Sequence, residues 1–175
     1  LAATHSDAAG VGGARGTADP EAYNLFLKGD YYKRRFHALE AAEYLRQSVT
    51  RDPRFARAWA SLGHAYARMP SVSLSSADSL RPLAKQAIDQ ALALDPALVS
   101  GYVAKGILAY STLRFDEADA AWQRALQLEP GNAEAMYGTA QVMAQRGQLD
   151  ASLAMITKAR DADPLSTDVL VNRQY

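Results

Sequence analysis

The sequence contains no cysteine, which excludes disulfides, thiol nucleophiles and cysteine-ligated zinc together. A cysteine-free chain suits either the bacterial cytoplasm or the periplasm. Neither sign of charge is in excess, since 19 Lys and Arg balance 19 Asp and Glu. Nucleic-acid binders depend on clustered cations that neutralise phosphates, so that class is disfavoured. No run of about 18 apolar residues occurs, so no segment is expected to span a membrane. No signal peptide is recognisable, and the chain opens on Leu1 rather than Met, as an excised segment would. The three histidines, His5, His37 and His64, are scattered. They form no pair at helical ligand spacing, so no metal site is expected. A Gly-x-Ser-x-Gly elbow is also missing. Gly10, Gly12, Gly13 and Gly16 follow no strand and fit neither the dinucleotide nor the P-loop spacing. Acidic pairs such as Asp116-Glu117 open a helix, where the helix dipole favours them. With no catalytic constellation and no cofactor motif, the chain reads as a non-enzyme.

What is present is a core-forming composition and a repeat. Hydrophobic residues make up 49% of 175, enough to bury a core in one domain or one array of small units. Four acidic-proline pairs punctuate the chain: Asp52-Pro53, Asp95-Pro96, Glu129-Pro130 and Asp163-Pro164, at steps of 43, 34 and 34 residues. Each follows one amphipathic run and precedes another. Proline cannot continue the earlier helix but can open the next. Helices are predicted near 20–35, 38–51, 54–68, 76–94, 97–112, 115–128, 131–146, 149–162 and 166–175.

Aligned on the prolines, other residues fall into register. The second unit has Trp59, Leu62, Gly63 and Tyr66, then Ala84, Ile88, Ala91 and Pro96. The first has Leu25, Gly29, Tyr32, Ala41, Leu45, Ser48 and Pro53. The third has Tyr102, Gly106, Ala109, Ala118, Trp122, Ala125 and Pro130, and the fourth Met136, Ala140, Met143, Ser152, Ile156, Ala159 and Pro164. This pattern resembles the tetratricopeptide repeat (TPR), W-x-x-L-G-x-x-Y followed by A-x-x-x-F-x-x-A-x-x-x-x-P. Small residues sit where two helices touch, and large ones fill the hollows between them. The resemblance implies an all-α, right-handed superhelix of antiparallel helix pairs, because no unit buries its apolar face alone. Its units would be 22–55, 56–98 with a nine-residue insertion, 99–132 and 133–166. Residues 167–175 would begin a truncated fifth unit or form a capping helix.

Two segments break the pattern. Residues 1–19 read as a Gly/Ala-rich linker or tail, with docking into a groove as the alternative. The insertion around Met69–Asp78 lengthens a helix and adds a surface loop, with Ser75 or Ser76 as cap; a binding role is the alternative. Residues 19–35, DPEAYNLFLKGDYYKRR, resemble the opening of TPR arrays that end bacterial signalling proteins. In those, a winged-helix regulator, an adenylate cyclase or a serine/threonine kinase precedes the array. The resemblance implies a regulatory module that binds a protein or peptide partner.

In TPR proteins the first helix of each pair lines the concave face. Carried onto this sequence, the groove candidates are Tyr23, Phe26, Asp30, Lys33 and Arg34, then Arg57, Ser61, His64 and Arg68. Ser100, Val103, Ile107, Tyr110 and Ser111 follow, then Glu134, Tyr137, Gln141 and Gln145. Rings flanked by polar side chains would seat a peptide. The TPR clamp for acidic carboxy-terminal chaperone peptides places Lys and Asn, Asn, then Lys and Arg at five slots. Here those slots hold Phe26, Asp30, Ser61, Ser100 and Ala104, so no such clamp is expected. Charge is uneven, +4 over residues 28–57 and −4 over 115–164, which could orient an extended ligand. The apolar Val169-Leu170-Val171 points to self-association through the carboxy-terminal helix. The alternatives to a groove are a structural spacer or a substrate adaptor for a catalytic domain elsewhere.

Overall fold

The computed structural model describes residues 16–69 and 74–164, with backbone alone for 74–78. These residues form eight helices and no strand: α1 (Pro20–Arg34), α2 (Ala38–Arg51), α3 (Ala56–Arg68), α4 (Leu74–Leu94), α5 (Val99–Ser111), α6 (Phe115–Leu128), α7 (Ala133–Gln145) and α8 (Leu149–Ala162). They pack as four hairpins, α1 with α2, α3 with α4, α5 with α6 and α7 with α8. First helices stack on one another, and each second helix also packs on the next first helix. The helix expected near 166–175, as the start of a fifth unit or a cap, and the self-association drawn from it, lie outside the described residues.

Three first helices start two residues later than the sequence suggests, at Ala56, Val99 and Ala133. The proline does not open the next helix; it opens a turn between helices. Asp52 Oδ1 accepts from Arg54 N at 2.9 Å and Asp52 O from Phe55 N at 3.1 Å. Asp95 repeats this with Ala97 N at 3.0 Å and Leu98 N at 3.1 Å. An Asx turn therefore takes the two residues that propensity alone gives to the helix. Ring donors in the first turn of α3 and of α5 hold the same segment. Trp59 Nε1 and Tyr102 Oη each donate to the proline carbonyl six residues upstream, both at 2.9 Å. In α7 that slot is Met136, which cannot donate, and Asn132 caps the helix by accepting from Ala135 N at 2.9 Å.

The other two irregular segments also depart from expectation. α4 begins at Leu74, so Ser75 and Ser76 lie inside its first turn and are not its N-cap. The end of the amino-terminal tail is pinned: Thr17 is buried and donates to Asp52. Gly16 lies against Phe55, where a Cβ would come within 3.1 Å of the ring. Asp19 caps α1 through Glu21 N and Ala22 N, at 2.9 and 3.0 Å, and accepts from Arg51 at 3.0 Å. Residues 1–15 lie outside the described residues.

The turns inside three hairpins share one backbone solution. Phe36, Leu113 and Gly147 have φ of 60°, 59° and 76°, and the residue after each donates back across the helix end. Glycine suits that conformation, whereas leucine meets a steric penalty there. Leu113 is also 74% exposed, so its side chain contributes little packing. Leu113→Gly is expected to raise stability by about 1 kcal/mol, read as a higher urea midpoint; an unchanged or lower midpoint would show that the turn is unstrained.

Close helix contacts set the core. Added Cβ atoms would lie 2.5 Å from Leu45 at Gly29, 2.6 Å from Ile88 at Gly63 and 2.3 Å from Trp122 at Gly106. The same slot in three hairpins is thus kept empty for the facing large side chain. Arg146 joins the last two hairpins, donating to Asp116 at 2.7 Å and Asp119 at 2.8 Å.

Candidate functional site

The stacked first helices line a half-open cavity of about 450 Å³. Lys33 of α1, His64, Ala65, Ala67 and Arg68 of α3, Ile107, Tyr110 and Ser111 of α5, and Tyr137 and Gln141 of α7 line it. Phe36 and Ala38, from the first hairpin's turn and the start of α2, and Trp122 of α6 complete the wall. Four hairpins thus contribute to one space, because their first helices stack side by side. Tyr110 is fixed from three sides: its ring centre is 5.4 Å from Phe115 and 5.9 Å from Trp122, and its hydroxyl accepts from Gln145 at 3.3 Å. The Arg68 guanidinium lies 5.7 Å from the centre of the Phe36 ring, within range of a cation–π contact.

The charges beside this space are organised around two carboxylates. Asp30 accepts from Lys33 at 2.8 Å and Arg34 at 2.9 Å. Its burial opposes ionisation, but Lys33 and Arg34 together hold its carboxyl below the usual range. Glu134 accepts from His64 Nε2 at 2.7 Å, joining the second hairpin to the fourth. Burial would raise the Glu134 carboxyl; the charge and hydrogen bond of His64, with Lys33 and Arg68 beyond them, carry it down to about 2. His64 Nδ1 is buried with no hydrogen-bond partner among the described residues, so within them the ring is fixed from one nitrogen only.

Of the residues singled out in the sequence, Lys33, His64, Arg68, Ile107, Tyr110, Ser111, Tyr137 and Gln141 meet in the cavity wall. Glu134, Asp30 and Arg34 stand outside it as ion-pair partners, and Gln145 as the partner of Tyr110. Tyr23, Phe26, Arg57 and Ser61 are placed elsewhere. Phe26 is 4% exposed, its ring 5.0 Å from Phe55 and covered by the Arg57 guanidinium at 5.0 Å. Tyr23 packs beside it at 6.2 Å, and Ser61 is buried within α3. Phe26 is therefore a core residue, closed over by Phe55 and Arg57 of the following hairpin. Ser100 and Val103 are likewise absent from the wall, and Val103 is buried in the core. Phe36 and Trp122 were not among the sequence candidates. The one signal for Phe36 was an aromatic at a helix end where glycine is usual.

Helix pairs of this length, joined by acidic-proline turns and stacked with their first helices along one face, define an all-α tetratricopeptide-repeat solenoid. Residues 103–167 match the tetratricopeptide-repeat family model. No curated protein sequence matches the chain. Among solved structures, a thermophilic TPR protein of Thermus thermophilus is 21% identical with a TM-score of 0.73, covering 87% of this chain and 79% of that one. PilF of Pseudomonas aeruginosa is 20% identical with a TM-score of 0.62, covering 85% and 64%. The first TPR domain of RPAP3, bound to the HSP90 peptide SRMEEVD, is 22% identical with a TM-score of 0.57, covering 73% and 94%. At these identities the likeness is one of fold. Among the described residues no helix is long and apolar enough to cross a membrane.

Proposed function

We propose that the chain is a protein-interaction module whose first-helix face takes an extended peptide, with one large apolar side chain seated in the cavity. The observation that carries this reading is the cavity itself: about 450 Å³, walled by Phe36, Ile107, Tyr110, Trp122 and Tyr137, with Gln141 and Ser111 among them to meet a peptide backbone. The RPAP3 domain, similar in fold, is a TPR domain with a bound peptide. The clamp slots here hold other residue types, so an acidic chaperone terminus is not the ligand proposed. The resemblance of residues 19–35 to arrays in bacterial signalling proteins supports a regulatory role within a larger chain.

Selection of a random peptide library on the immobilised chain tests this. Enriched peptides are expected to share a large apolar residue and to lose binding to Phe36→Gly. That variant removes a cavity-wall ring at a backbone angle glycine prefers, so it is expected to remain folded. A library that yields no sequence above background, or peptides indifferent to Phe36→Gly, would leave the spacer reading in its place.

A further inference from the structure

α1 is the first described helix of the stack, and one of its faces is uncovered. Asn24, Leu27, Lys28, Tyr31 and Arg35 recur along it at helical spacing and are all exposed, Leu27 to 46% and Tyr31 to 51%. In the later first helices this face is closed by the hairpin before. The residues in register with Leu27 are Ser61, Ala104 and Gly138, and those with Tyr31 are Ala65, Leu108 and Val142; all are buried. Gly138, for example, lies against Trp122 of α6. Among the described residues no helix precedes α1. The chain reaches it from the second hairpin's side, Gly16 lying against Phe55 and Arg57.

This face is apolar and cationic together. Leu27, Lys28, Tyr31, Tyr32 and Tyr44 line an open hollow of about 390 Å³, in which the Tyr32 and Tyr44 rings stack with centres 5.5 Å apart. Lys28 Nζ stands 5.7 Å from the centre of the Tyr44 ring, and the Arg35 guanidinium 4.5 Å from that of Tyr31. Neither cation has a carboxylate partner among the described residues. Lys33, Arg34, Arg46 and Arg51 of the same hairpin each have one within 2.9 Å. We propose that this end of the solenoid is a second docking surface, and that it takes an amphipathic helix of a partner protein. The apolar stripe of that helix covers Leu27 and Tyr31, and its acidic flank meets Lys28 and Arg35.

A helix is the fitting occupant because each equivalent face in the stack is packed by one. A solenoid end that only caps the array has a polar outer face, whereas here a leucine and a tyrosine stand in water. Covering them removes apolar area from water, and tyrosine is among the residues that carry most of the binding energy at interfaces. The two cations are positioned by rings, which leave their charge unneutralised. A carboxylate therefore gains by meeting them, and a basic side chain is rejected.

The test is fluorescence anisotropy on the whole chain with the labelled helical peptide acetyl-Ser-Glu-Glu-Leu-Ala-Glu-Leu-Leu-Ala-Glu-Leu-Ala-Ala-Glu-Leu-amide. Its leucines repeat the spacing of the α1 stripe, and its glutamates form one flank. Tyr31→Ala, on an exposed helix face where alanine is favoured, is expected to keep the fold and lose binding about tenfold. The peptide with glutamine for every glutamate is expected to bind about fivefold more weakly. Lys28→Gln with Arg35→Gln is expected to bring the glutamate peptide down to the level of the glutamine peptide and to leave the latter unchanged. Equal affinity of the two peptides, or a Tyr31→Ala variant that binds as the wild type does, overturns the proposal. So does failure of the peptide to bind. Vesicles of phosphatidylserine and phosphatidylcholine are the second arm. Vesicle binding that Tyr31→Ala abolishes, with the helix unbound, overturns the proposal in favour of a lipid surface. None of these outcomes bears on the cavity, whose reading rests on the library selection.

Discussion

Trp122→Ala is expected to cost about 3–5 kcal/mol, measured as a fall in the urea midpoint at constant slope. The indole is 1% exposed and its Nε1 donates to Val103 O at 3.3 Å. It lies between two helices that approach it without side chains. A Cβ on Gly106 would fall 2.3 Å from Nε1, and one on Gly138 2.3 Å from Cε2. No flexible tip stands at either contact, so the site cannot relax by turning a rotamer aside. This gives a sign test. In the wild type Gly138→Ala overpacks and is expected to destabilise by about 1–3 kcal/mol. In the Trp122→Ala background the same change fills part of the void and gains helix propensity of about 1 kcal/mol, so it becomes stabilising. Measured as a double-mutant cycle, the coupling between these touching positions is large. The same sign in both backgrounds would show that the glycine is not there to admit the indole.

The second large effect concerns the bond between the second and fourth hairpins. Glu134→Gln removes the charge that His64 meets at 2.7 Å. It is expected to cost about 2 kcal/mol near pH 5, the Glu134 side chain being 30% exposed and so partly screened. The sign with pH follows from the lowered carboxyl. Glu134 titrates near 2 in the fold and near 4.5 as an ordinary glutamate. Its stabilisation is therefore fully present above about 4.5 and is lost as pH falls towards 2. The difference in unfolding free energy between wild type and Glu134→Gln is expected to shrink steadily from about pH 5 to about pH 3. Asp19, Asp30, Glu40 and Glu43 are also held low, but they are common to both proteins and cancel. A difference independent of pH over that window would mean that Glu134 acts by shape and not by charge.

The fold was legible because its signals are local and recur. Acidic-proline pairs 34 residues apart, and a small residue opposite a large one in each hairpin, need only the periods of a helix and of the repeat. The helix starts were misread by two residues because an Asx turn competes with helix propensity, and propensity does not record that competition. The wall of the candidate cavity was half legible. Residues on the first helices share a face by spacing, and Tyr110, Tyr137, Gln141 and Arg68 do meet in one wall. Phe26 carries the same spacing but is buried, because Phe55 and Arg57 reach it from the next hairpin.

The class of fold and the order of its hairpins were determined by the sequence alone, since each follows from residue type and spacing along one chain. Tertiary structure alone decided which side chains share the cavity, that Trp122 reaches its wall from a second helix, and that His64 finds Glu134 seventy residues on. Those contacts depend on how far each hairpin is rotated on the last. That rotation is set by packing between hairpins, such as Phe55 on Phe26, Leu92 against Gly101 and Trp122 against Gly138, terms that no single repeat contains.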